Sequence, residues 1–421
     1  MNRRKFLKSA SSFGLVAASG VYAPALAQAG PLKVGLLAAR SGALGNIGEG
    51  GLRAVQWSVD RLNKQGGIAG RRVELVVEEE TSPKDTSDRF KKLVLQNGVE
   101  CVQGVISTGV TLSLGVLAEE SRTIFIAWDG TTQSGVDETM PNPKYTFRST
   151  DNEVEAIIAG VLAINRYQGQ FRTIAGFNND YSYGRNAWSV FQALLKKYKI
   201  DNQSVSEQWV KVGSVDLTPA VNAVRASDPD LLYLSVLFGE APVLMKQASA
   251  AGLFQRAKLV YSMGGFNQSQ LKKEFTPEGM ILGLNTLDFD YPNASPLQKE
   301  FVAYYMDRFK EPPTSAAERA YFAMELYARG VERAAKAVGK WPTKEDITAN
   351  MEDLEVESLG GKARMKKNHI PEQLFFIGTT THDNKYDFVT VKDVQAISSE
   401  QFQKPPNTDF WKWIESAKFE I

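Results

Sequence analysis

Apolar runs of strand length alternate with amphipathic stretches of helix length, and the alternation occurs twice along the chain. No other feature restricts the fold as strongly. Nearly continuous apolar runs suit strands buried on both faces of a sheet, and parallel strands need helical crossovers between them. The first series predicts strands at 32–39, 72–78, 99–106 and 123–127, with helices at 46–63, 84–96 and from after the 107–109 loop to 121. Leu52, Val55, Val59 and Leu62 recur at helical spacing, Gly66-Gly67 closes that helix, and Thr81-Ser82-Pro83 supplies an N-cap and an N1 proline for the next. The second series predicts strands at 172–178, 208–212, 231–237 and 259–263, with helices at 183–198, 217–226 and 240–251. Two long helices follow at 296–309 and 315–337, then extended strands over 360–393. The pattern is that of an α/β protein with two lobes, each around a central parallel sheet. Crossovers are expected at 145–151 and 280–287, with a third before the final strands. The aromatic cluster Phe410-Trp411-Lys412-Trp413 reads as a helix docked on a lobe.

Residues 1–29 read as an export signal. Asn2-Arg3-Arg4-Lys5-Phe6-Leu7-Lys8 is basic, 9–22 is apolar and rich in small residues, and Ala25-Leu26-Ala27 and Ala27-Gln28-Ala29 have cleavage-site spacing. That describes a leader removed near Ala27 or Ala29, not a membrane span. Its paired arginines resemble a twin-arginine signal. Roughly 390 of 421 residues would remain, too many for one core and suited to two lobes. A protein in the periplasm cannot draw on ATP or most cytosolic cofactors, which points to binding, transport or hydrolysis. The 49 basic and 48 acidic residues give a net charge of +1. With no Lys/Arg block beyond the leader, a nucleic-acid partner is not expected. Cys101, the single cysteine, lies in an apolar run and reads as a core residue. One Cys with His369 and His382 cannot form a zinc-type cluster, so neither metal nor cofactor is expected. The Gly-x-Ser-x-Gly elbow, the phosphate loop and Gly-x-Gly-x-x-Gly are absent, so no enzyme is expected.

An ordered set of segments carries a family resemblance. They are Val34-Gly35-Leu36-Leu37 with Ser41-Gly42, Asn63-Lys64-Gln65-Gly66-Gly67-Ile68-Ala69-Gly70, Gly104-Val105-Ile106-Ser107-Thr108-Gly109, Asp180-Tyr181-Ser182-Tyr183-Gly184, Asp230-Leu231-Leu232-Tyr233 and Pro277-Glu278-Gly279-Met280. Together they resemble the leucine/isoleucine/valine-binding type of periplasmic solute-binding protein of ABC importers. The resemblance implies the type I periplasmic-binding fold, two Rossmann-like lobes joined by a three-crossing hinge. Lobe 1 would comprise 30–148 and 284–360, lobe 2 149–283 and 361–395, and a tail 396–421. The implied partners are a small-molecule ligand, an organic acid or amino acid, and an inner-membrane permease, with the protein a monomer.

The resemblance also implies a ligand site. Ser107, Thr108 and Gly109, with Asp129, Gly130 and Thr131, would offer hydroxyls and amides to a ligand carboxylate. Tyr183 and Phe238 would form the second-lobe wall, and Ile47 and Trp128 the first-lobe side. Amino-acid binders of this type pair the ligand ammonium with an acid after the last second-lobe strand. Here that position is Ser262-Met263-Gly264-Gly265, with Gly264 lining the site, and it carries no acid. An unpaired buried ammonium is costly. Asp129 could therefore pair with Arg40, leaving a neutral floor, or meet an amide, amine or hydroxyl of the ligand. Each residue keeps a plain alternative: Thr108 as a helix cap, Tyr183 as an ordinary helix start, Asp129 in an ion pair within the lobe, Trp128 in the core, Arg40 in solvent. The implied ligand is a hydrophobic or branched-chain amino acid or an aromatic carboxylate. An amide- or urea-type solute, and a periplasmic ligand sensor, are the alternatives.

Overall fold

The computed structural model describes residues 30–421; the expected leader lies outside the described residues. The first lobe runs β1 (Leu32–Ala38), α1 (Gly45–Lys64), β2 (Val73–Glu79), α2 (Pro83–Leu95), β3 (Cys101–Gly104), α3 (Thr108–Ser121), β4 (Ile124–Ala127), α4 (Gln133–Thr139) and β5 (Thr146–Arg148). Its five strands are parallel, in the order β2-β1-β3-β4-β5. Residues 32–38 are buried along almost their whole length, as a strand covered by helices on both faces should be. The Ser82 hydroxyl accepts the Asp85 N–H at 3.1 Å and Pro83 stands at N1, so α2 starts where its cap residues predict.

The second lobe runs α5 (Asn152–Tyr167), β6 (Thr173–Asn179), α6 (Ser182–Lys197), β7 (Gln203–Val210), α7 (Thr218–Ser227), β8 (Leu231–Ser235), α8 (Glu240–Ala250), β9 (Lys258–Tyr261) and β10 (Ile281–Asn285). The chain then returns to the first lobe through α9 (Pro296–Phe309), α10 (Ser315–Val338) and α11 (Lys344–Met351). A small antiparallel sheet follows, made of β11 (Glu355–Ser358), β12 (Gly361–Met365) and β13 (Pro371–Glu372). Finally β14 (Leu374–Thr381) and β15 (Thr390–Ser398) extend the second sheet in antiparallel fashion, giving the order β15-β14-β10-β9-β8-β6-β7. Among the described residues, no helix is long and apolar enough to cross a membrane.

The structure departs from the sequence reading in places. The reading named no helix at α5, which is buried on nearly every side and so lacks a polar face to mark it. Residues 361–372, expected in lobe 2, pair with β11, and Val356, Ala363 and Met365 pack with Leu32, Val34 and Tyr327 of the first lobe. The third crossing therefore falls at Gln373. The aromatic helix of the tail docks on a lobe as expected: Phe402, α12 (Phe410–Ser416) and Phe419 pack into the second-lobe cluster with Val190 and Phe191. Cys101 is buried in β3, as expected.

The first and third crossings are tied to each other, and the second is tied to α10. Gln373 Nε2 donates to Ser149 O at 3.2 Å and Thr150 Oγ1 at 3.3 Å, and Ser315 Oγ donates to Leu284 O at 2.6 Å. These side-chain bonds brace the segments that pass between the lobes.

Candidate functional site

In open α/β sheets, ligands bind beyond the carboxyl ends of the strands, where the strand order reverses. The first sheet reverses between β1 and β3, and the second between β6 and β8. The loops at these points face each other. Ala39, Ile47, Ile106 and Ala316 of the first lobe share one buried apolar cluster with Tyr183, Leu237, Phe238, Met263 and Phe266 of the second, and Ala43, Leu44 and Tyr181 pack against it. The Tyr181 ring lies 5.6 Å from Phe238 and 6.0 Å from Tyr183. An aliphatic wall thus meets an aromatic one.

A polar pole lies beside them. Gly104 and Val105 both have positive φ, 131° and 65°. For a β-branched residue the latter is a strained conformation, of the kind that concentrates at binding sites. At Gly104 a side chain would overlap the Leu37 backbone. This turn aims the next two amides at Glu80: Ile106 N–H donates to Oε2 at 2.9 Å and Ser107 N–H to Oε1 at 2.8 Å. Glu80 is buried, and burial pushes its carboxyl up to about 7 against the pull of those amides, with Asp129 adding repulsion. Ser107 is the N-cap of α3 yet its side chain makes no cap bond, and neither it nor buried Thr108 donates a side-chain hydrogen bond among the described residues. Tyr181 of the opposite lobe packs against the shared cluster. Burial, then Asp129, Glu240 and Glu80, hold its phenol firmly protonated.

At the hinge end of the cleft, Arg319 on α10 pairs with Asp129 of the first lobe and Glu155 on α5 of the second. Its guanidinium also lies 4.9 Å from the Phe266 ring centre. All three ionic groups are buried. Burial works against the Arg319 charge, but Asp129, Glu155 and Glu318 outweigh it and hold the guanidinium charged. Burial likewise pushes Glu155 up to about 8, opposed by Arg319. The remaining Asp129 oxygen accepts Gly130 N–H at 2.8 Å and Asn152 Nδ2 at 2.9 Å.

Several expected site residues occupy this region and others do not. Ile47, Tyr183 and Phe238 line the interlobe cluster, and Ser107 and Thr108 stand at its polar pole. Gly109 is exposed, beside Pro83. Tyr183 turns its hydroxyl to Ser262 Oγ at 3.2 Å, so its ring rather than its oxygen faces the cleft. Asp129 pairs with Arg319 and not with Arg40, which is exposed and lies 3.9 Å from Glu49. Trp128 is packed in the first-lobe core against Gly51 and Ala320, too enclosed to stack on a ligand. Thr131 is committed to the hinge: its hydroxyl donates to Thr150 O at 3.0 Å and its N–H to Asn152 Oδ1 at 2.8 Å. Gly130 packs on the turn before α3, and Gly264 packs on Tyr261 and Leu282 inside its own lobe. The sequence reading missed Glu80 and Arg319. A lone Glu318-Arg319 pair within Ser315-Ala316-Ala317…Ala320 was the available signal for the latter.

Residues 31–385 match the family model described as periplasmic binding protein. The chain belongs to the periplasmic binding protein family. Among relatives of this periplasmic binding protein is the Leu/Ile/Val-binding protein homolog 3 of Brucella melitensis, 23% identical over 334 residues, covering 78% of this chain and 85% of that one. A solute-binding protein of an ABC transporter from Rhodopseudomonas palustris BisB5, solved with 3,4-dihydroxybenzoic acid, superposes with a TM-score of 0.73 at 21% identity, over 86% of this chain and 96% of that one. The branched-chain amino acid transporter substrate binding protein LivJ of Streptococcus pneumoniae, solved with isoleucine, superposes with a TM-score of 0.71 at 19% identity, over 87% and 99%. Both share the two-lobed fold, with central parallel sheets in each lobe.

Proposed function

We propose that this periplasmic binding protein is the substrate-binding component of an ABC transporter. It captures a small organic solute with an apolar body, of the hydrophobic amino-acid or aromatic-acid type, between its lobes and delivers it to an inner-membrane permease. It acts by binding, without turnover. The observation that carries this reading is the single apolar cluster shared by both lobes, with a polar pole at the strand ends. The aliphatic and aromatic walls desolvate the ligand body, and the pole reads its polar end. The Leu/Ile/Val-binding relatives and the aromatic-acid-bound neighbour favour the same solute classes.

In this reading Ile47, Ser107, Thr108, Tyr181, Tyr183 and Phe238 contact the ligand, and residues 1–29 are an export leader. N-terminal sequencing of the periplasmic protein should find a start just after Ala27 or Ala29. The binding test is thermal unfolding against amino acids, aromatic acids and amides. A ligand at 100 times its dissociation constant should stabilise the protein by about 2.7 kcal/mol. Absence of a shift from every class would remove the reading.

A further inference from the structure

The resemblance assigns the α3 N-terminus to a ligand carboxylate, but the protein's own Glu80 already occupies the Ile106 and Ser107 amides. Glu80 also differs from its neighbouring acids. Asp129 has both oxygens engaged, one by Arg319 and the other by Gly130 N–H and Asn152 Nδ2. Glu155 shares the same arginine. Glu80, by contrast, has no cationic side chain within salt-bridge distance among the described residues, although it is only 3% exposed. A carboxylate offers about four lone-pair directions, and the two amides use two. A buried carboxyl without a cation is costly unless it is protonated or meets a donor. The Ser107 and Thr108 hydroxyls, with no side-chain hydrogen bond among the described residues, follow directly on the amides that it holds.

We propose that Glu80 is the acceptor for the ligand's hydrogen-bond donor end, so that the cleft selects a solute bearing an amine or amide over one with a carboxylate alone. This deepens, and rests on, the reading of the cleft as the ligand site. Glu80 takes the part that the missing acid at 262–265 would otherwise play, from the opposite lobe. The Ser107 and Thr108 hydroxyls remain for the ligand's carboxylate or carbonyl oxygen. A simple carboxylic acid can meet those hydroxyls but has no donor to offer Glu80, whose charge repels it.

The test is calorimetric titration of the wild-type protein and Glu80→Gln with leucine, leucinamide, 4-methylpentanoate and benzoate. The wild type should bind leucine or leucinamide at least about tenfold more tightly than 4-methylpentanoate, the difference expected of one charge-assisted hydrogen bond. Glu80→Gln should bring that ratio close to one. Tighter wild-type binding of 4-methylpentanoate or benzoate, failure of both amine-bearing probes, or an unchanged ratio in Glu80→Gln overturns the proposal. The wild-type ranking decides even if Glu80→Gln does not fold. Phe238→Ala separates the two levels. If it leaves the affinity of a bound probe unchanged, the cleft reading itself fails; if affinity falls while the ranking contradicts Glu80, only this inference does.

Discussion

Arg319 holds two carboxylates that come from different lobes, and its loss leaves both buried without a cation. Arg319→Leu should therefore lower the unfolding free energy by about 3–5 kcal/mol in urea titrations. Adding Asp129→Asn and Glu155→Gln should restore a large part of it, because the uncompensated charges are then gone. The two threonines separate structure from binding. Thr131→Val removes bonds to Thr150 and Asn152 and should cost about 1–3 kcal/mol of stability. Thr108→Val removes a hydroxyl with no partner among the described residues, so stability should stay within about 0.5 kcal/mol while ligand affinity falls. Equal stability losses at both positions would contradict this division. Both hydroxyls were legible as candidates in the sequence. Which of them the hinge consumes depends on Asn152, 21 positions from Thr131, and spacing carries no trace of that.

At the scale of elements, α1 sets the first-lobe wall. A Cβ at Gly48 would overlap the backbone of Ala39 at the end of β1, and only glycine lets the helix rest so close to the strand. Gly48→Ala should cost about 1–3 kcal/mol through overpacking. It should also weaken ligand binding, because Ile47 moves with the helix. Denaturation and ligand titration of the one variant check both. The elements the sequence predicts best are those with local signals. α2 has its Ser82 cap and Pro83, and β1 has its unbroken apolar run. α5 escaped notice because tertiary burial on nearly all sides erases the period that marks a helix. β12 and β13 were read as strands but given to the wrong lobe, since their partner β11 and the core beneath them are set by packing alone.

At the scale of the whole molecule, folding buries acids that then hold their protons. Burial raises Glu318 and Asp288 to about 7. Between about pH 4.5 and 7 the folded protein binds protons at these sites that the unfolded chain releases, so they make stability fall as pH rises. Glu318 isolates the effect, lying against Ser358 of the first lobe. Glu318→Gln should flatten the decline by about 1.4 kcal/mol per pH unit across that window, as seen in urea midpoints at pH 5, 6 and 7. Buried His369, held below its usual range by desolvation, acts in the opposite sense below about pH 6.5. It acts equally in both proteins and cancels in the difference. Parallel slopes for wild type and variant would contradict the assignment.

The α/β class, the two lobes and the family were readable from the sequence, because strand runs, helical periods and caps are properties of neighbours along the chain. The candidate site rests on loops at strand ends, which can be counted without knowing the strand order. The reversal of that order at β1/β3 and β6/β8, the ion pairs of Arg319, the enclosure of Trp128 and the capture of the α3 amides by Glu80 were decided only by the tertiary structure. Each joins groups from separate elements, with Asp129 and Arg319 190 positions apart. Charge satisfaction in a low-dielectric interior depends on what packing brings together, and not on spacing along the chain.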